Sequence, residues 1–265
     1  MAEELGPEPG APPEPPSLPE PPPPPTRPTG LDLLKALAII WTALILANIA
    51  VAVIFVTLHI MRGKIGFPAI DPRMLLVGAA VDWVVTFCVI TYFAAWKYHR
   101  TFHDGFYLYR VSARTVFLSV LIGVGGSIVA TIVMRYFATG NAPLYDIAFN
   151  ESEDGIVRMS LVFAFFAVVV PPLEELYYRG FLFPVFSRLL NAKLAIAIVS
   201  IWFLSIHVPQ MYGEWAAIGV IACMSVVWTL QRHLYGSLWP SLLSHWTYNG
   251  CLIVLQLAAE YLMET

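Results

Sequence analysis

Charged residues are scarce in this sequence, and their scarcity indicates its class. Of 265 residues only 12% are Asp, Glu, Lys or Arg, whereas 58% are hydrophobic. Soluble domains carry about 25% charged residues, so a water-soluble globular protein is excluded. The formal net charge is −3, and we expect no nucleic-acid partner. The composition predicts an integral, multi-pass protein of the lipid bilayer.

Cysteine is also rare. Cys88, Cys223 and Cys251 lie inside apolar stretches and none of them belongs to a CxxC pair. This spacing predicts neither a disulfide framework nor a zinc ribbon. We interpret the three side chains as buried packing residues.

Proline is concentrated at the amino terminus. Residues 1–30 contain 13 of the 21 prolines, with glutamates between them and almost no apolar residue. Such a segment cannot form a packed core, and we expect a disordered, acidic, polyproline-like tail. It has no basic start, apolar centre or cleavage site, so we do not interpret it as a secretory signal.

Residues 31–265 are dominated by apolar runs. A helix needs about 20 apolar residues to cross the hydrocarbon core. Seven segments qualify or nearly qualify: 31–61, 74–96, 115–138, 159–187, 193–207, 214–232 and 237–261. The fifth is short and the fourth contains Pro171 and Pro172, so an eighth or re-entrant segment stays open. The sequence predicts one all-α polytopic membrane domain of seven to eight transmembrane helices.

Basic residues indicate the orientation. On the side shared with the amino terminus lie Arg27, Lys97, Arg100, Arg110, Arg114, Arg188, Lys193 and Arg232, and on the other side lie Arg62, Lys64, Arg73 and Arg158. The larger number of basic residues normally marks the cytoplasmic side. We therefore expect a cytoplasmic amino terminus and, in a bacterium, the cytoplasmic membrane.

Polar residues within the last four segments are the candidates for a functional site, because ionisable groups at membrane depth are costly. They are Glu174, Glu175, Arg179, His207, His245 and Asn249. Helical spacing predicts that Glu175 pairs with Arg179, while Glu174 points about 100° away. At 1.5 Å per residue Glu174 and His207 both lie about 21 Å from the basic side, and His245 and Asn249 lie about 12 and 18 Å from it. Three helices thus carry polar groups to a similar level.

This set of side chains suits hydrolysis of an amide bond. A carboxylate beside a histidine in a poorly solvated cavity can take a proton from water. A second histidine and an amide can donate hydrogen bonds to the oxyanion that forms when water attacks a carbonyl. We expect an intramembrane active-site cavity in the carboxy-terminal half of the domain.

The same residues form three motifs in order: EExxxR at Glu174, Glu175 and Arg179, FxxxH at Phe203 and His207, and HxxxN at His245 and Asn249. Over about residues 155–255 the chain resembles the CPBP family, which contains CAAX proteases and bacteriocin-processing enzymes. The resemblance implies that Glu174 is the general base, with His207 as its partner in activating water. It also implies an oxyanion site at His245 and Asn249 and a supporting ion pair of Glu175 with Arg179.

The resemblance implies membrane-bound peptides or lipidated proteins as substrates and a glutamate-dependent mechanism without an essential cofactor. A zinc site at Glu174, His207 and His245 is the alternative, since two histidines and a carboxylate are a known zinc set, although no HExxH pair is present. Two other functions stay open. A proton-coupled transporter also carries acids and histidines at the midplane, and a non-catalytic membrane scaffold or immunity protein could keep the same fold.

Overall fold

The computed structural model describes residues 27–63, 72–139 and 165–264. Every regular element in these ranges is helical. Four of the helical stretches are long and apolar enough to cross a membrane, namely Gly30–Met61, Val77–Tyr98, Ala113–Phe137 and Trp215–Tyr235. The all-α polytopic membrane fold is therefore confirmed, whereas the total of seven or eight spans stays a prediction. Most of the expected tail, residues 1–26, lies outside the described ranges.

The described helices coincide with the seven predicted segments, with ends that differ by a few residues, and residues 159–164 of the predicted fourth segment lie outside the described ranges. They are α1 (Gly30–Met61), α2 (Pro72–Ala94), α4 (Ala113–Phe137), α5 (165–189), α6 (Ala192–His207), α7 (Trp215–Tyr235) and α8 (Trp239–Glu264). A 3₁₀ turn, Trp96–Tyr98, and a one-turn helix, α3 (Phe102–Gly105), lie in the connection between α2 and α4. Sequence periodicity did not predict these two short elements.

Helix α5 is continuous across Pro171 and Pro172, so no re-entrant break occurs there. It consists of a π-helical stretch Phe165–Val169, an α-helical stretch Val170–Glu175, a second π-helical stretch Leu176–Leu182 and a final α-helical stretch Phe183–Leu189. The two prolines lie in the first turn of the α-helical stretch Val170–Glu175, where the fixed φ of proline suits the start of an α-helix.

The start of α1 is fixed by a capping box. The Thr29 hydroxyl accepts a hydrogen bond from the Asp32 backbone N–H, and the Asp32 carboxylate accepts one from the Thr29 backbone N–H. The Asp32 carboxylate also binds the Lys97 ammonium and the Tyr98 hydroxyl beyond the end of α2. These contacts hold the first turn of α1 beside the end of α2.

Helices α4 and α8 approach each other closely. The buried positions of α4 are all small: Ser119, Gly123, Ser127 and Ala130. A Cβ atom added at Gly123 would lie 2.5 Å from the Ser244 backbone oxygen. Small residues at such a contact let two membrane helices pack backbone to backbone. Gly123 therefore sets the position of α8 one residue before His245.

Many large apolar side chains are exposed on the outside of the described helices, as contact with lipid requires. Within this surface the side chains of Cys88 and Cys223 are exposed and Cys251 is partly exposed, so the prediction that the cysteines are buried packing residues is wrong. A polar contact also occurs between α1 and α2, where the Asn48 amide donates a hydrogen bond of 2.7 Å to the Asp82 carboxylate.

Candidate active site

The carboxylate of Glu174 lies between two imidazoles from other helices. Its Oε1 is 3.8 Å from Nε2 of His207 at the end of α6, and its Oε2 is 3.6 Å from Nε2 of His245 on α8. The Glu174 side chain is 7% exposed and the His207 side chain 12% exposed, compared with 3% for His245. The three side chains predicted to lie at a similar level are thus close together, and His207 is the most exposed of them.

Glu175 and Arg179 form the ion pair that their spacing predicts. Arg179 Nη1 donates to Glu175 Oε1 at 2.9 Å, and both side chains are fully buried. The remaining nitrogens of Arg179 bind α7: Nη2 donates to the backbone oxygen and hydroxyl of Ser225, and Nε donates to the Thr229 hydroxyl. A buried arginine with this many partners locks α5 against α7.

His245 is held by two contacts. Its Nδ1 lies 3.0 Å from Glu175 Oε1, and its ring stacks on Trp228, with centroids 3.8 Å apart and planes at 19°. A carboxylate paired with Arg179 accepts hydrogen bonds, so Nδ1 of His245 is the donor. Its Nε2 is therefore the nitrogen that faces Glu174.

His207 is oriented in the same way by its own helix. Its Nδ1 lies 2.8 Å from the Phe203 backbone oxygen, which can only accept a hydrogen bond. The proton of neutral His207 is therefore on Nδ1, and Nε2 carries the lone pair that faces Glu174. The Phe203 ring stacks on His207 at 4.4 Å between centroids, so the FxxxH spacing fixes both the height and the plane of this imidazole.

Asn249 is one helical turn beyond His245 on α8 and is partly buried, and its part in the site stays a prediction. The sequence interpretation missed three contacts of the site: Trp228 behind His245, and Ser225 and Thr229 around Arg179. A signal for the latter pair exists, since two small polar residues four apart on an apolar helix form a hydrogen-bonding face.

The zinc alternative at Glu174, His207 and His245 stays a prediction. Zinc ligands lie about 2.0–2.2 Å from the metal, and among the described residues no set of three His, Cys, Asp or Glu side chains is arranged to hold a metal ion. The reaction proposed for the site is the metal-free alternative, and cleavage in the presence of a chelator tests it.

An apolar groove of about 200 Å³ lies between α2 and α5. One of its lining residues is Leu173, which precedes Glu174 in the sequence. Its lining is hydrophobic throughout and consists of Ala80, Trp83, Val84 and Phe87 from α2 and Phe165, Val169 and Leu173 from α5. The groove can therefore hold an apolar chain close to the carboxylate cluster, by which we mean Glu174, His207 and His245.

Comparisons with known proteins agree with the motifs. Among the curated proteins and the solved structures, none matches the chain. Residues 157–251 match the family model described as type II CAAX prenyl endopeptidase Rce1-like, and this range contains all six candidate site residues. Over this range the chain is therefore similar to the Rce1-like type II CAAX prenyl endopeptidases, and the resemblance inferred from its motifs is confirmed.

Proposed function

We propose that this protein is an intramembrane endopeptidase in which Glu174 activates water for attack on a peptide bond. One observation carries the proposal: the Glu174 carboxylate lies between the Nε2 atoms of His207 and His245, 3.8 and 3.6 Å away. Both imidazoles are anchored through Nδ1, so their Nε2 atoms are directed at the same place before any substrate binds. Such preorganised groups are typical of catalytic sites.

Water activation uses Glu174 and His207. Separations of 3.6 to 3.8 Å are too long for direct hydrogen bonds but allow one water oxygen to contact Glu174 and His207 together. That water donates one proton to the Glu174 carboxylate, and its second hydrogen bond goes to the lone pair on His207 Nε2. General base catalysis needs this kind of direct contact.

The charges of the site favour one extra proton shared by Glu174 and His245. Arg179 and Glu175 cancel each other, which leaves the Glu174 carboxylate as an unpaired negative charge in a buried position. The four groups become electroneutral when Glu174 and His245 together hold one extra proton. A protonated His245 then stays paired through Nδ1 with Glu175 and carries an N–H on Nε2.

Oxyanion stabilisation is the role that this arrangement gives to His245. Its Nε2–H is on the side of Glu174, and in this proposal Asn249 supplies an amide donor from the next turn of α8. Two donors directed at the developing negative charge lower the barrier for water attack. Collapse of the tetrahedral intermediate returns the proton from Glu174 to the leaving amine, which restores the starting state.

The substrate that fits best is a peptide carried in the membrane by an apolar segment or a lipid chain. Counting residues along the helices predicts a site at membrane depth, and the apolar groove between α2 and α5 is lined by Leu173, next to Glu174 in the sequence. An apolar chain in this groove would place the attached peptide next to the carboxylate. This class includes lipidated proteins, on which the matched CAAX prenyl endopeptidases act by their description.

The test is cleavage of a membrane-peptide and lipopeptide library by the purified full-length protein and its Glu174→Gln variant, each with and without chelator. We expect cleavage by the parent protein in both conditions and a loss of at least about 10³-fold in the variant. Loss of activity with chelator would contradict the metal-free mechanism. Equal cleavage by the variant would exclude Glu174 as the base.

Asp82→Asn is the matched control. It also removes one carboxylate at membrane depth, but Asp82 contacts Asn48 on α1 and lies outside the catalytic cluster. We expect this variant to keep its activity. A Glu174→Gln variant that keeps its thermal unfolding transition and its cleavage rate, as Asp82→Asn should, would reject the role of Glu174 as the base.

A further inference from the structure

We propose that Arg100, Arg188 and Arg232 form a binding site for the phosphate of an anionic lipid headgroup, built around the ring of Tyr107. This site lies at the end of the bundle where α2, α5 and α7 end. It is separate from the carboxylate cluster, so the inference does not depend on the proposed protease activity.

Tyr107 is held in a fixed position. Its backbone has φ of 58°, in the left-handed region that residues other than glycine seldom occupy. Its carbonyl oxygen accepts a hydrogen bond of 2.9 Å from the Leu238 backbone N–H, just before α8. The preceding residue, Phe106, is fully buried and packs where Gly180 of α5 leaves space. The connection between α2 and α4 is thus attached to α5 and α8.

Three arginines surround this tyrosine. The guanidinium carbons of Arg232 and Arg100 lie 4.4 and 5.5 Å from the ring centroid. Arg188 Nη1 approaches the Tyr107 hydroxyl at 3.4 Å. Arg232 lies on α7, Arg100 follows α2, and Arg188 lies in the last turn of α5. Three distant parts of the chain thus meet at Tyr107.

None of these cations has a carboxylate partner in the described residues. Arg100 donates to the Asp104 backbone oxygen, Arg188 donates to the Pro28 backbone oxygen, and Arg232 Nε donates to the Arg179 backbone oxygen. Every acceptor in this set is neutral. Arg179, by contrast, has Glu175 as its counter-ion. Arg179 is thus paired with a carboxylate, whereas Arg232 donates to a neutral backbone oxygen.

Burial makes the missing counter-charge costly. Arg232 is only 5% exposed, and Nη1 of Arg100 is buried with no hydrogen-bond partner in the described part of the chain. A buried guanidinium without an anion is unfavourable, whereas one paired with a phosphate gains charge-assisted hydrogen bonds. An external anion would therefore complete this cluster.

The phosphate of a lipid headgroup is the anion that fits the arginine side chains and their position at the helix ends. The fork of an arginine matches the oxygens of a phosphate. The helix ends at which the three arginines lie correspond to the level of the headgroups in a bilayer, where basic clusters attract anionic lipids. Free inorganic phosphate presents the same chemistry, and the experiment separates the two sources.

The experiment measures binding of phosphatidylglycerol and of phosphatidylcholine to the delipidated full-length protein in detergent by native mass spectrometry. We expect preferential binding of phosphatidylglycerol and a decrease of about tenfold in its affinity for Arg100→Gln/Arg188→Gln. Both positions are partly or fully exposed, so the double variant should fold. Arg232→Lys, which keeps the charge and loses the fork, should give a smaller decrease.

The control is Arg110→Gln/Arg114→Gln. It removes the same two charges from the same end of the bundle, at exposed positions outside the cluster. Equal binding by this control and by Arg100→Gln/Arg188→Gln would overturn the proposal. Inorganic phosphate that displaced phosphatidylglycerol completely at millimolar concentration would overturn the assignment to a lipid headgroup.

Discussion

Trp228 lies flat against the imidazole of His245, with ring centroids 3.8 Å apart and planes at 19°. Trp228 is fully buried and forms a rigid wall behind the histidine. Together with the hydrogen bond from Nδ1 to Glu175, this wall leaves His245 a single orientation, in which Nε2 faces Glu174. The tryptophan is therefore a positioning residue for the proposed reaction.

Replacement of Trp228 tests this role. Trp228→Ala should reduce the cleavage rate about tenfold or more, because loss of an aromatic stack of about 1 kcal/mol and a new cavity free the imidazole. Trp228→Phe should keep most of the activity. The measurement is kcat on a membrane-peptide substrate, with Trp41→Ala on the exposed face of α1 as control. Unchanged kcat in Trp228→Ala would contradict the role.

The Glu175 and Arg179 pair offers a test that separates stability from catalysis. Glu175→Leu leaves Arg179 buried without a counter-charge and should cost about 3–5 kcal/mol of unfolding free energy. Glu175→Leu/Arg179→Met removes both charges and should recover much of that loss. It should still cleave poorly, because His245 Nδ1 has lost its acceptor.

Thermal unfolding and cleavage of the two variants are compared with the parent protein. A double variant with normal stability and normal cleavage would show that the pair serves only to hold helices together. Low cleavage at normal stability supports the positioning of His245 by Glu175.

Close packing at Gly123 should be sensitive to a single methyl group. Gly123→Ala places its Cβ 2.5 Å from the Ser244 backbone oxygen, so α8 has to shift, at a cost of about 1–3 kcal/mol. We expect a lower unfolding temperature and reduced cleavage, since His245 follows Ser244. Gly125→Ala is the matched control, because no atom lies within 4 Å of its added Cβ. Identical behaviour of the two variants would exclude a special role for the α4 and α8 contact.

The orientation of the protein can be measured by cysteine accessibility. With Cys88, Cys223 and Cys251 replaced by serine, single cysteines are introduced at the exposed positions Arg110 and Ala138. The distribution of basic residues predicts that position 138 reacts with a membrane-impermeant reagent in intact cells and position 110 only after permeabilisation. The reverse labelling would place the amino terminus outside.

Local rules were sufficient for the helices and for pairs along one helix. Apolar segment length predicted α1, α2 and α4 to α8, and a spacing of four predicted the contact of Glu175 with Arg179 at 2.9 Å. The number of residues between each side chain and the basic side of the membrane also predicted that Glu174, His207 and His245 lie at a similar level. These features depend only on helical geometry and on membrane thickness, which are the same in every such protein.

Contacts between distant segments were not predictable in this way. The contact of Glu175 with His245 could not be predicted from the sequence, because it depends on how α5 packs against α8. The cysteines were misjudged for a related reason. In a membrane protein an apolar residue can face lipid as easily as protein, so hydrophobic surroundings in the sequence do not distinguish the surface from the core.

The π-helical stretch Leu176–Leu182 gives α5 a phase shift. A π-helical turn, with hydrogen bonds from i to i+5, accommodates one more residue than an α-helical turn. Side chains beyond it are therefore rotated by about 100° from the direction that a regular α-helix would give them. Glu174 on one side of the shift faces the two histidines, while Arg188 on the other side faces Tyr107. Deleting one residue from this stretch would leave the composition almost unchanged and would turn the two ends of the helix out of alignment.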